Sequence, residues 1–93
     1  MPAYDIAHIR EQGQDMILVP LDGQFEYKTP STQNAFIDEL QRRANAAGLA
    51  GRVAAIWPAG GYTKFMGPPQ WRAFLQSISL HFVLMNVNRE LSW

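Results

Sequence analysis

The chain contains no cysteine, which excludes disulfides, thiolate catalysis and sulfur-ligated metal. Any metal site would fall to histidine and carboxylates. The only two histidines, His8 and His81, lie far apart and lack a neighbouring imidazole or carboxylate at ligand spacing, so neither a metal nor a cofactor is expected. Charge of one sign is missing as well. Eight Lys and Arg balance eight Asp and Glu, and no overall field draws in nucleic acid or an anionic membrane. Long apolar runs are absent too: the strongest, Ile78 to Val87, is interrupted by Ser79, His81 and Asn86 and is too short for a bilayer. The opening Met-Pro-Ala-Tyr-Asp-Ile has neither part of an export signal. These absences lead to the expectation of a soluble, cytoplasmic protein without membrane contact.

What remains is enough to fold. The 93 residues are 47% hydrophobic and 12% aromatic, which excludes a mainly disordered chain and fits a single domain over residues 1–93. A core of that size is thin, and a partner subunit would add burial. Tyr4 to Arg10 suits a strand or one short helical turn; with the Glu11-Gln12-Gly13-Gln14 turn and the apolar run Asp15 to Leu21, a hairpin is expected. After Pro30, Ser31 or Thr32 can cap a helix, with Ala35, Phe36, Leu40, Ala44, Ala47 and Leu49 near helical spacing and Gly48 where a left-handed C-cap would stand. Asp38 and Glu39 precede Arg42 and Arg43, the order that favours ion pairs on a solvated face.

Arg52 to Trp57 reads as the next strand, and a strand, helix, strand unit in one sheet is a right-handed parallel crossover. Gly60-Gly61 then turns Tyr62 to Met66 back as a hairpin. Gly67-Pro68-Pro69 opens a second helix with Trp71, Phe74, Leu75 and Ile78 in one stripe. Leu80 to Val87 alternates as a final strand, the rival being a continuation of that helix into one long helix. The expected fold is α+β: a two-layer sandwich with a mixed sheet of four to five strands, two helices on one face, and the order (β)βαββαβ.

Parallel strands ending near Leu21 and Trp57 send their loops to the same sheet edge, where α/β folds tend to bind ligands. That rim would gather Asp22, Phe25, Tyr27, Lys28, Trp57, Tyr62 and also Lys64. Aromatic faces could stack a flat ligand while Lys28 meets an anion; the competing reading is that Phe25 and Trp57 finish the core. Other candidates are weaker. Ala59 to Lys64 lacks phosphate-loop spacing. Ser77, Ser79 and His81 on one strand face stand about 7 Å apart per step, too far for proton transfer. Arg42, Arg43 and Arg52 could touch phosphates, but Asp38 and Glu39 oppose them.

The function itself is not legible. A non-catalytic module that binds a small molecule or a partner protein is the leading expectation, as a homodimer joined by an edge strand with Leu84 and Val87 and by Trp93. A small enzyme with a subunit-interface site using His81 and Arg89, and a weak nucleic-acid binder through the first helix, are the alternatives.

Overall fold

A computed structural model describes residues 3–93, so the Met1-Pro2 start lies outside the described residues. Strand β1 (Ala3–Glu11) and strand β2 (Gln14–Pro20) form the expected hairpin. Gln12 and Gly13 both take positive φ, 51° and 77°, which is the turn that matches the right-handed twist of its strands. A short 3-10 helix (Gly23–Tyr27) precedes α1 (Pro30–Ala46), and β3 (Arg52–Ala59) then runs parallel to β2. Strand β4 (Tyr62–Met66) returns antiparallel, α2 (Arg72–Ser77) and α3 (Leu80–Met85) follow, and β5 (Arg89–Ser92) closes the chain against β1. The result is a mixed five-stranded sheet in the order β4-β3-β2-β1-β5 within an α+β fold, as expected.

Helix α1 is stopped and started by local chemistry. Its cap is Thr29, whose Oγ1 accepts the Thr32 amide at 3.2 Å, and not Ser31 or Thr32. Pro30 is the reason: it occupies the first helical position, where its missing N–H costs nothing, and it forces the preceding residue into the extended backbone a cap needs. At the other end Gly48 has φ 86°, the Leu49 amide donates to the Ala44 carbonyl and the Gly48 amide to that of Asn45. This double bond pattern satisfies the last carbonyls. The Gln41 side chain then ties helix to sheet, accepting the Val53 amide at 2.8 Å and donating to the Gly51 carbonyl at 3.0 Å.

The helices do not share one face of the sheet. Leu40 and Ala44 of α1 pack on Ile6, Ile17, Val19, Val53 and Leu91. Trp71, Leu75 and Val83 pack on Ala7, Met16, Leu18, Ala54 and Ile56, the alternate residues of the same strands. The central strands are therefore covered on both sides, giving three layers where two were expected. Their unbroken apolar runs fit this, because a strand buried on both faces has no polar side to show.

The second correction concerns residues 80–87. They form no strand: α3 is a separate helix, begun by the Ser79 hydroxyl, which accepts the Phe82 amide at 3.1 Å. Nor does α2 continue into it, since Ile78 and Ser79 are extended, with ψ of 159° and 165°. Helical spacing turns Val83 alone fully inward and leaves Leu84 and Met85 52% and 72% exposed. The final strand lies further on, at Arg89–Ser92.

Candidate functional site

Because β2 and β3 are parallel, Leu21-Asp22 and the Gly60-Gly61 turn leave the sheet at one edge. Asp22 begins the 3-10 helix by accepting the Gln24 amide on Oδ1 at 2.9 Å. This turn carries Glu26 and Tyr27 toward the β3–β4 hairpin. Between them lies an open cleft of about 940 Å³, lined among others by Asp22, Gln24, Glu26, Tyr27, Tyr62 and Lys64. Pro58 and Ala59 of β3 line it too. Pro58 is tolerated inside β3 because β2 has already ended beside it, the last register pair being Pro20 with Ile56.

One polar linkage fixes the two walls. Glu26 Oε1 accepts the indole N–H of Trp57 at 3.0 Å, and Oε2 accepts the Lys64 ammonium at 2.6 Å. The Lys64 hydrogen bond first, and the Trp57 bond second, hold the Glu26 carboxyl below the ordinary glutamate range against a smaller opposing effect of burial. Beside this linkage the tyrosine rings stand in solvent, Tyr27 at 85% and Tyr62 at 77% exposure.

The structure brings together only part of the expected rim. Asp22, Tyr27, Tyr62 and Lys64 line the cleft. Phe25 and Trp57 do not reach it as ligand-facing rings: both are buried, edge to face at 4.8 Å, with Phe36 beside them. The competing core reading holds for that pair, although the Trp57 N–H still anchors Glu26. Lys28 does not line this cleft but borders an adjoining hollow of about 220 Å³ with Tyr4, Leu21, Phe25 and Phe36, which shares Asp22 and Gln24 with the cleft. Glu26 and Gln24 were missed. An acidic residue in one loop and a lysine in the hairpin opposite were available as a pair, but only the parallel register brings them within reach.

The remaining candidates are occupied elsewhere. His8 Nε2 donates to the Ala50 carbonyl at 2.9 Å, and His81 is exposed on α3. The Ser77 hydroxyl donates to the Phe74 carbonyl at 2.6 Å, so Ser77, Ser79 and His81 form no relay. Arg42 and Arg43 both pair with Glu39, which weakens any phosphate contact through α1. The edge-pairing role expected of Leu80 to Val87 falls with the strand itself: Leu84 is exposed and Val87 half-buried. Trp93 packs on its own chain, its ring 5.6 Å from that of Tyr4 and 5.3 Å from the Arg43 guanidinium.

Compared with known protein families, curated proteins and solved structures, the chain matches none. The site must be read from its own chemistry.

Proposed function

We propose that this chain, acting as one domain, is a non-catalytic binding module whose ligand or partner seats in the cleft at the carboxyl ends of β2 and β3. The observation that carries this reading is the pair of exposed rings, Tyr27 and Tyr62, on walls held together by the Glu26–Lys64 ion pair. Exposed tyrosines give large contact area with few rotatable bonds, and their position at the ends of a parallel strand pair is where such folds tend to bind. The cysteine-free composition fits a reducing cytoplasmic setting.

A thermal-shift and NMR screen of small polar and aromatic compounds tests the reading. Bound compounds should move the amide signals of Gln24, Tyr27 and Tyr62, and a Tyr27→Ala/Tyr62→Ala variant should lose that response while keeping its fold. Both side chains are exposed, so their loss should change stability by no more than about 0.5 kcal/mol each. Undiminished binding by the folded double variant would sink the proposal.

Self-association forms part of the same reading, moved from the strand edge to α3. Leu84 and Met85 are the apolar side chains left exposed on that helix. Light scattering over a dilution series should show a dimer that Met85→Glu dissociates; a monomer at every concentration would remove this element.

A further inference from the structure

The cleft has carboxylates and aromatic faces but no unpaired cation. Lys64 is the one cationic residue lining it among the described residues, and Glu26 already holds its ammonium at 2.6 Å. Asp22 occupies the first amides of the 3-10 helix, Oδ1 accepting from Gln24 and the main-chain carbonyl from Phe25. An anion would therefore have to displace a carboxylate from Lys64. A cation meets the opposite situation, since Asp22 and Glu26 outnumber the single lysine and Tyr27 and Tyr62 offer ring faces. Guanidinium suits that set better than ammonium, being planar for stacking and forked for a carboxylate.

A second observation says how the cation is delivered. Strand β4 is a terminal strand of the sheet and supplies Tyr62 and Lys64 to the cleft. The two-residue Gly60-Gly61 turn makes Ala59 and Tyr62 a hydrogen-bonded pair, so Thr63 and Phe65 turn their main-chain N–H and C=O to the outer edge. Opposite Thr63 stands Pro58, which has no N–H to offer, in keeping with this alternation. A lysine on an edge strand normally deters pairing, but Lys64 is drawn inward to Glu26. The edge beside the cleft is left with free main-chain groups and a neutralised charge.

We propose that the cleft takes the guanidinium of an arginine carried on an extended segment of a partner protein, which adds to the sheet along the outer edge of β4. Main-chain bonds to Thr63 and Phe65 hold the segment, and the side chain on the cleft face reaches Asp22 and the tyrosine rings. The proposal rests on the reading of the cleft as a binding site and adds the chemistry of what is bound.

The test titrates the isotope-labelled full chain with three probes. These are the peptide acetyl-Thr-Val-Arg-Val-Thr-amide, the same peptide with citrulline for arginine, and N-acetylarginine amide. Citrulline keeps the planar shape, the Nε–H and one terminal NH2 but lacks the charge, a carbonyl oxygen standing in place of the other NH2. The arginine peptide should shift the amides of Gln24, Tyr27, Thr63 and Phe65 and bind about tenfold more tightly than either of the other probes. Thr63→Pro should erase its advantage over the free amide. Asp22→Asn, which retains the cap, should weaken both arginine probes and carries the test if Thr63→Pro does not fold. Equal binding of the citrulline peptide overturns the cation assignment, and equal binding of the free amide overturns the edge pairing; both leave the cleft as a binding site. No response to any probe also overturns the proposal, and the cleft reading is then decided by the compound screen above, which does not depend on charge.

Discussion

Val83 separates a helix from a strand over residues 80–85 by a single pair of substitutions. On a strand, Val83 and Met85 would point to one face and respond alike to truncation. In α3 they diverge, Val83 at 0% exposure against the sheet and Met85 at 72%. Val83→Ala removes the equivalent of two buried methylenes, about 0.8 kcal/mol each by transfer, and the cavity left behind brings the loss to about 2 kcal/mol or slightly more. Measured at a dilution where the chain is monomeric, Met85→Ala should stay within about 0.5 kcal/mol, helped by the helix propensity of alanine. A chain of this size has roughly 5–14 kcal/mol of stability in all, so the difference is easily read. Thermal unfolding should place Val83→Ala roughly 8–16 °C below the parent and Met85→Ala near it. Ser79→Ala, which deletes the cap to Phe82, should cost about 1 kcal/mol. Similar losses for Val83 and Met85, with Ser79 silent, would refute the helix.

Other substitutions probe the rest of the frame. Gly51→Ala should cost at least about 2 kcal/mol in urea unfolding, because its φ is 110° and an added Cβ would lie 2.3 Å from the Asp15 carbonyl oxygen. Gly13→Ala, at φ 77° with open space around it, should cost only about 1–2 kcal/mol. Asp5 and Glu90 stand directly opposite on β1 and β5, so Glu90→Lys should stabilise by about 0.2–1 kcal/mol, an effect that added salt reduces. The Glu26 carboxyl titrates below its ordinary value in the folded chain, so its contribution is complete above the unfolded glutamate value and is lost as pH falls through the lower folded one. Glu26→Gln should therefore fall short of the parent in urea midpoint at pH 7, and that gap should close in acid; a gap independent of pH would contradict the linkage.

The amino-acid sequence by itself determined the elements whose signals are local. Pro30 and Gly48 bracket α1, the paired glycines at 60 and 61 make the β3–β4 turn, and strand, helix, strand order makes β2 and β3 parallel. It also placed Asp22, Tyr27, Tyr62 and Lys64 on one rim, because loops after parallel strands must emerge together. Only the tertiary structure decided which aromatics turn inward. Phe25 and Tyr27 are two residues apart in one short turn, yet one packs on Trp57 and the other stands in solvent. It likewise assigned the helices to opposite faces: the apolar runs of β2 and β3 ask for cover on both sides, but nothing in them says which helix supplies it. Residues 80–85 are apolar around the whole helical wheel and alternate as well as a strand does. With no period to choose between them, the Ser79 cap and the room for Val83 against the sheet made the choice. Glu26 became part of the site for the same reason, since a charge on one loop acquires its partner only when the sheet register brings the other loop beside it.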